Sequence, residues 1–179
     1  DEHVRLDHYV LDWMPRAVDA VLAASGAPGL SMIGYCMGGL FALLYTSVNE
    51  DARVRNLVTI AAPVDSHQMG LLAWVVGAAH EQLDRVADRV GNVPGSLSSA
   101  AFKLMNPWKN VTRYASLFLN LWDQEYVNGF DAMNQWSENF IDYPKEAFRQ
   151  FLNDFLKENK LQAGKMVFGE KVADLGRIR

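Results

Sequence analysis

Residues 30–40 read Leu-Ser-Met-Ile-Gly-Tyr-Cys-Met-Gly-Gly-Leu. The stretch opens with an apolar run, and the breakers Gly26, Pro28 and Gly29 precede it, which is typical of a buried strand that follows a tight loop. A glycine-rich turn and then an apolar, helix-compatible run complete it. Strand, Gly-x-Cys-x-Gly and helix in this order predict a nucleophile elbow, with cysteine where serine usually stands.

The spacing of the glycines around Cys36 has a steric explanation. A strand that turns sharply into a helix holds the residue at its apex in a strained conformation, and the neighbours two positions away must be small. Gly34 and Gly38 meet this requirement, and Gly39 allows close packing of the helix start. The helix macrodipole and the unpaired amides at this point favour a thiolate on Cys36. We expect the backbone N–H of Met37 to form half of an oxyanion hole.

The alternative for Cys36 is a small buried hydrophobe in a glycine-rich turn. The pattern Gly-x-Cys-x-Gly alone does not separate the two interpretations, because it is short. The strand before it and the helix after it are the structural context that an elbow needs. We therefore predict that Cys36 is a nucleophile.

Composition restricts the class of protein. The 179 residues are half apolar and carry a net charge of -4, with a pI near 5.5. Neither sign of charge forms a long block, so the sequence indicates no nucleic-acid footprint and we expect no nucleic-acid partner. The single cysteine excludes an internal disulfide framework and fits a reducing compartment. Because the sequence has neither a transmembrane run of about 18 apolar residues nor a signal peptide, we expect a soluble, cytoplasmic chain.

The segments around the elbow predict an α/β fold. Residues 6–24 carry apolar side chains near helical spacing, and Pro15 predicts a helix start or a kink within them. A helix over 38–48 follows the elbow, and residues 56–62 form a second apolar strand. A strand that is apolar nearly throughout is typical of a parallel sheet covered on both faces. We therefore predict a parallel pair of strands joined by the helix.

The character of the sequence changes after Pro63, where helix-compatible apolar segments separated by breakers continue to about residue 161. We expect helices over 71–90, 97–105, 111–121 and 145–159, and a short strand over 166–168. A helical insertion of this size is typical of a lid over an active site, although an ordinary helical subdomain fits as well. The predicted organisation is a core segment 1–64, a helical lid 65–162 and a return toward the core 163–179.

The elbow and the insertion together resemble the polyhydroxyalkanoate synthases, which are similar to the α/β-hydrolases. The lipase-like box of that family has the form Gly-x-Cys-x-Gly-Gly, and residues 34–39 match it in full. The resemblance extends over nearly the whole chain, through the stretches 7–9, 62–65, 91–95, 104–107, 147–151 and 172–178. It is nearest to the class whose short catalytic subunit works with a second subunit. The fold it implies is a partial α/β-hydrolase-like parallel sheet with a large helical lid.

The resemblance also implies an activity, the polymerisation of (R)-3-hydroxyacyl groups from coenzyme A thioesters through a thioester on Cys36. It implies no cofactor, because coenzyme A arrives on the substrate, and we expect no metal site, because the sequence has no metal-ligand spacing. Hydroxyacyl-coenzyme A and the polyester chain are the implied ligands, with a second synthase subunit or a homodimer as partner, at the surface of polyester granules. The family uses a Cys–His–Asp triad, and the stretches that carry its His and Asp have no match here. We therefore interpret the chain as an internal segment of a longer enzyme.

Four histidines are candidates for the base that would deprotonate Cys36, namely His3, His8, His67 and His80. His67 is the best placed of the four, because it lies just beyond the second strand on the elbow's side of the sheet. The alternative is a structural role, since a histidine in a lid segment is usually a surface residue or one whose hydrogen bonds are already satisfied. We expect His80 to be structural, Asp65 to cap a helix or turn, and Asp142 to serve a loop.

Aromatic residues are concentrated in the insertion. They are Trp108, Trp122, Tyr126, Phe130, Trp136 and Phe140. We expect these side chains to form the core of the lid, and the lining of an acyl channel is the alternative.

Two other functions stay open at this point. A cysteine-variant esterase or thioesterase would transfer the acyl group to water, so its product would be free acid alone. An inactive binding or interaction module without a base would keep a thiol of ordinary reactivity and bind a granule surface or a partner subunit.

Overall fold

In the computed structural model, the described residues are 1–69, 82, 85, 89, 91–104 and 107–178, and the side chains of 101–104 and 107–111 are excluded. The predicted helix over 71–90 therefore lies outside the described residues, apart from Gln82, Arg85 and Arg89, as does His80. Within the described ranges, no helix combines the length and the apolar character needed to cross a bilayer.

The first helical segment accommodates Pro15 through a widened turn. Helix α1 (Leu6–His8) continues as a π-helical segment (Tyr9–Trp13) into α2 (Met14–Ser25). The first amide of α2 donates to the carbonyl of Tyr9, five residues back, and the widened turn ends directly before the proline that has no N–H to donate. The predicted start of regular helix near Pro15 is confirmed, and Gly26 ends α2 in the left-handed region.

Two parallel strands flank the central helix, as predicted. They are β1 (Leu30–Tyr35) and β2 (Val54–Ile60), with α3 (Met37–Asn49) between them in sequence. The register pairs Gly34 with Thr59 and Tyr35 with Ile60. Helix α3 packs against both strands, so the strand–helix–strand unit that carries Cys36 is an α/β core.

One face of this sheet is open, which corrects the prediction that both strands are buried. Ile33 and Tyr35 are 70% and 69% exposed, and Val58 and Ile60 are 46% and 50% exposed. These side chains alternate along their strands and therefore share one face of the sheet. The continuous apolar sequence thus includes a face that nothing in the described part of the chain covers.

The insertion is helical, as predicted. Its elements are a 3₁₀ turn (Ser66–Gln68), α4 (Gly95–Leu104), α5 (Pro107–Leu119), α6 (Gln124–Glu138), α7 (Lys145–Gln150) and a π-helical continuation of α7 (Phe151–Lys157). The predicted helices over 97–105, 111–121 and 145–159 correspond to α4, α5 and α7 with its continuation. The bounds that divide core and lid, 64/65 and 162/163, stay a prediction.

A short hairpin follows the insertion. Strand β3 (Val167–Phe168) was predicted, and it pairs antiparallel with β4 (Lys171–Val172), which the sequence did not indicate because it is only two residues long. A 3₁₀ turn (Leu175–Arg177) follows.

The core brings the two ends of the chain together over α3. Its fully buried members come from α1 and the π-helical segment, from α3, from the continuation of α7 and from the hairpin. They include Leu6, Val10, Leu40, Leu44, Val48, Leu152, Phe155, Met166 and Phe168. The predicted apolar side of 145–159 is thus confirmed as a core face, and it belongs to the same buried cluster as the apolar side chains of α3.

Candidate active site

Cys36 occupies the apex between β1 and α3 with a φ of 51° and a ψ of -119°. A positive φ is unfavourable for a residue with a Cβ, so the surrounding structure must hold this conformation. The Cys36 N–H donates to the carbonyl of Ile60 at 2.8 Å, and the Cys36 carbonyl accepts from the N–H of Leu40 at 3.1 Å. The side chain is exposed. The alternative of a buried hydrophobic cysteine is therefore wrong.

The glycines of the box have different steric roles. A Cβ on Gly34 would lie 2.5 Å from the carbonyl oxygen of Gly38 and 2.6 Å from the Cα of Gly39, so only glycine fits at this position. A Cβ on Gly39 would lie 2.9 Å from the Cβ of Ala62 and 3.0 Å from the oxygen of Gly34. A Cβ on Gly38 would meet nothing within 4 Å. The steric reason proposed for Gly38 is therefore wrong, because the close approach runs between the backbone at 38–39 and the end of β1.

Met37 begins α3 directly after Cys36, which is the N-cap residue and caps the helix with no side-chain hydrogen bond. The first amides of a helix have no acceptor in a preceding turn, and the positive end of the macrodipole lies beside them. Met37 thus lies at the helix start where the sequence analysis expects half of an oxyanion hole, and that role stays a prediction.

Each of the three histidines that the structure describes has a contact elsewhere, and His80 lies outside the described residues. The ring of His67 hydrogen-bonds the carbonyl of Lys157 at 3.2 Å, and the ring of His8 accepts from the N–H of Arg5 at 3.0 Å. His3 lies at the exposed N-terminus beside Glu2. Within the described ranges, no side chain hydrogen-bonds Cys36 Sγ.

Two carboxylates serve local structure, as predicted. Asp65 caps the 3₁₀ turn, since it accepts from the His67 N–H at 3.1 Å, and it also accepts from the side chain of Asn159 at 2.7 Å. Asp142, in the loop before α7, accepts from the N–H of Gly95 at 2.9 Å and so joins that loop to the start of α4.

The aromatic cluster of the insertion does not form a closed lid core, which corrects that prediction. Trp122 is 80% exposed and Trp136 is 55% exposed. Phe130 does pack, with the Arg113 guanidinium 4.5 Å from its ring centroid, and Trp136 contacts Phe140 edge to face. The side chain of Trp108 lies outside the described residues.

A cavity lies at the opposite end of α3 from Cys36. Thr46, Glu50, Asp51 and Arg177 line it, and a helix of 13 residues spans about 20 Å. The ion pair of Arg177 with Glu50, with 2.8 Å between Nη1 and Oε1, belongs to this cavity. It is therefore remote from the candidate nucleophile.

Sequence reasoning missed the residues that join the segment after β2 to the end of the insertion. Asn159 is 8% exposed, has a φ of 48°, and accepts a hydrogen bond from the Ser66 N–H at 3.1 Å. The only signal in the sequence is the residue type, because asparagine tolerates a positive φ better than most residues.

Comparison with known proteins agrees with this geometry. The sequence model of the α/β hydrolase fold family matches residues 1–164. The poly(3-hydroxyalkanoate) polymerase subunit PhaC of Haloferax mediterranei is 35% identical over 99% of this chain and 36% of that protein. The subunits of the same name from Allochromatium vinosum and Synechocystis are 34% and 31% identical over 99% of this chain, and over 50% and 48% of those proteins.

The chain thus spans half or less of the length of these relatives. The resemblance on which the sequence analysis relied is confirmed, since these polymerase subunits match almost every residue of the chain. With a parallel sheet, a sharp strand-to-helix turn and a family match over most of its length, the chain belongs to the α/β hydrolase fold family.

Proposed function

We propose that this chain carries the nucleophile of an acyltransferase that polymerises 3-hydroxyacyl groups from coenzyme A thioesters into polyhydroxyalkanoate. The observation that supports it is Cys36 at the exposed apex of a strained turn, at the N-terminus of α3. The relatives named above are poly(3-hydroxyalkanoate) polymerases, and the chain matches them through this turn.

In the first step, the Cys36 thiolate attacks the carbonyl carbon of the acyl thioester. A carbon–sulfur bond to Cys36 forms, the bond to the coenzyme A sulfur breaks, and coenzyme A leaves as the thiol once it takes a proton. Exchange between two thioesters is nearly balanced in energy, so positioning of the two groups can drive the step. In the second step, the hydroxyl of a further hydroxyacyl-coenzyme A attacks the carbonyl carbon of the thioester on Cys36. An ester bond forms, the bond to the Cys36 sulfur breaks, and Cys36 leaves as the thiolate, so the lengthened chain is again a coenzyme A thioester that can return to Cys36 by the first step.

The Met37 N–H would stabilise the oxygen of each tetrahedral intermediate. A histidine outside these residues, oriented by an aspartate, would accept the proton of Cys36 and later that of the hydroxyl. No cofactor is needed in this scheme, because the substrate brings coenzyme A. The partner in this proposal is a second synthase subunit or a second copy, and the place of action is the cytoplasmic surface of polyester granules.

The test is replacement of Cys36 by alanine and by serine in the full-length protein, followed by product analysis with a 3-hydroxyacyl-coenzyme A. We expect Cys36→Ala to abolish polymer formation and Cys36→Ser to retain a small fraction, since a hydroxyl is the weaker nucleophile. Unchanged polymer formation by the alanine variant would refute the proposal. Free acid alone, from the unsubstituted protein, would identify the esterase or thioesterase instead.

A matched control is Ser47→Ala, which removes a side-chain oxygen from the same helix. The Ser47 hydroxyl is buried and donates only to the carbonyl of Leu44 in its own helix. This variant should form polymer. Stable binding of a partner subunit without any turnover would favour the interaction module.

A further inference from the structure

The insertion is fastened at its base by a set of hydrogen bonds, here called the base clamp, formed by Asp65, Ser66, His67, Leu156, Lys157 and Asn159. The Ser66 N–H donates to Asn159 Oδ1 at 3.1 Å, and the Ser66 hydroxyl donates to the Leu156 carbonyl at 3.3 Å. Ser66 is fully buried. The clamp thus joins positions about 90 residues apart in sequence, where the insertion leaves the α/β core and where it returns.

Asn159 is the central residue of the base clamp because its amide makes two bonds of opposite polarity. Its oxygen accepts from the Ser66 N–H, while its nitrogen donates to the Asp65 carboxylate at 2.7 Å. A carboxamide supplies this acceptor and this donor from one side chain. The backbone φ of 48° restricts the choice further, because asparagine is among the few residues with a side chain that tolerate it.

Asp65 and Ser66, which Asn159 hydrogen-bonds, follow closely in sequence on the residues that contact the elbow. Ile60 at the end of β2 accepts the N–H of Cys36 at 2.8 Å. Ala62 lies against Gly39, so closely that a Cβ on Gly39 would be 2.9 Å from the Ala62 Cβ. Asp65 and Ser66 follow after Pro63 and Val64, and Ala61 between the two contacts has a φ of 52°. A displacement at Ser66 is therefore transmitted over a short, constrained segment to the peptide of Cys36.

From these contacts we propose that Asn159 is a positioning residue for Cys36, acting through Asp65 and Ser66 on the segment that supports the elbow. The inference depends on the proposed role of Cys36 as nucleophile. In this proposal, the hydrogen bonds that close the base of the insertion also hold Cys36 in its strained backbone conformation.

The test uses Asn159→Asp in the full-length protein. This change keeps the size and the acceptor for Ser66 but places two carboxylates face to face, so the bond to Asp65 is lost. The readout is the rate of Cys36 alkylation by iodoacetamide over a pH series, measured on the Cys36 peptide by mass spectrometry, well below the melting temperature. We expect the alkylation rate, compared at the same pH, to differ about tenfold from that of the unsubstituted protein in at least part of the pH series. Small displacements at a reacting group have effects of this size.

Asn139→Asp is the matched control, because it makes the same chemical change at an exposed asparagine that bonds only the Gln135 carbonyl of its own helix and the backbone next to it. The double variant Asp65→Asn with Asn159→Asp exchanges donor and acceptor between the two side chains. It should restore the alkylation rate and pH profile toward those of the unsubstituted protein, and it keeps the proposal testable if the single variant does not fold.

The proposal is overturned if Asn159→Asp melts at a lower temperature yet alkylates like Asn139→Asp, because Asn159 is then only structural. It is also overturned if the folded double variant alkylates no closer to the unsubstituted protein than Asn159→Asp does. Alkylation needs no acyl substrate. A failure of the polymerase proposal, seen as unchanged polymer formation by Cys36→Ala, is thus distinguishable from a failure of this one.

Discussion

The carboxylate of Asp7 accepts a 3.0 Å hydrogen bond from the backbone N–H of Gly169, 162 positions later in the chain. Gln150 donates to the same carboxylate at 3.1 Å, and its own side-chain oxygen accepts from the N–H of Leu6 at 2.9 Å. Asp7 and Gln150 together thus join the first helical segment to α7 and to the hairpin of β3 and β4. These hydrogen bonds hold together segments whose apolar side chains share one buried core with α3.

Replacing Asp7 by asparagine should lower the free energy of unfolding at pH 7 by about 1–3 kcal/mol, because the charge is removed and a carboxamide oxygen can replace only one of the two acceptor oxygens that bind Gly169 and Gln150. Burial acts to raise the pKa of Asp7, but hydrogen bonds from Gly169, Gln150 and Arg5 outweigh it and lower this pKa. The stabilisation is therefore full above the unfolded pKa, about 4, and is lost as the pH falls through the lower folded pKa.

Urea unfolding at pH 7 and at a series of lower pH values measures this effect. The difference between Asp7→Asn and the unsubstituted protein should shrink on acidification. Asp12→Asn is the control, because Asp12 forms a surface ion pair with Arg16, at 2.7 Å, whose loss should cost less than about 1 kcal/mol. A difference for Asp7→Asn that is small, or that does not depend on pH, would contradict the assignment.

Phe155→Ala tests the buried core that Phe155 shares with α3. Phe155 is fully buried and stacks on Phe151 with 5.1 Å between ring centroids. Its truncation should cost about 3–5 kcal/mol in the free energy of unfolding, because it removes apolar contacts and leaves a cavity. Phe155→Leu, which retains most of the volume, should cost distinctly less. Equal effects of the two variants would show that the site relaxes without a cavity.

Trp122→Ala tests the correction to the aromatic cluster. Because Trp122 is 80% exposed, its removal should change the free energy of unfolding by less than about 0.5 kcal/mol. Chemical denaturation of this variant beside Phe155→Ala makes the measurement. A loss of several kcal/mol for Trp122→Ala would restore the original prediction that Trp122 belongs to a packed lid core.

Local patterns in the sequence predicted the elements that position the candidate site. The turn at Cys36, the parallel strands and the helix over 145–159 each have a signature within a few neighbouring residues, either a glycine spacing or an apolar period. The apolar period of 145–159 also predicted the buried side of that helix, including Phe155. These features depend on residues that are near one another in sequence.

Features that depend on distant residues were not predictable in this way. The bonds of Asp7 to Gly169 and of Ser66 to Asn159 join positions whose types carry no mark of their partners. Apolar character also cannot say which face of a strand is covered, so Ile33 was expected to be buried and is exposed. The same limit applies to Trp122, since aromatic residues fit both a core and a binding surface.

The pair Gly34→Ala and Gly38→Ala separates the steric roles within the box. A Cβ at Gly34 would lie 2.5 Å from the backbone oxygen of Gly38, and backbone atoms in a strained turn cannot move away cheaply. We expect Gly34→Ala to lower the free energy of unfolding by about 1–3 kcal/mol.

At Gly38 an added Cβ meets nothing within 4 Å, and the residue lies in α3. Gly38→Ala should therefore be neutral or stabilise the fold by up to about 1 kcal/mol through helix propensity. Denaturant unfolding of both variants makes the comparison, and a larger loss for Gly38→Ala than for Gly34→Ala would show that the close approach runs through Gly38 after all.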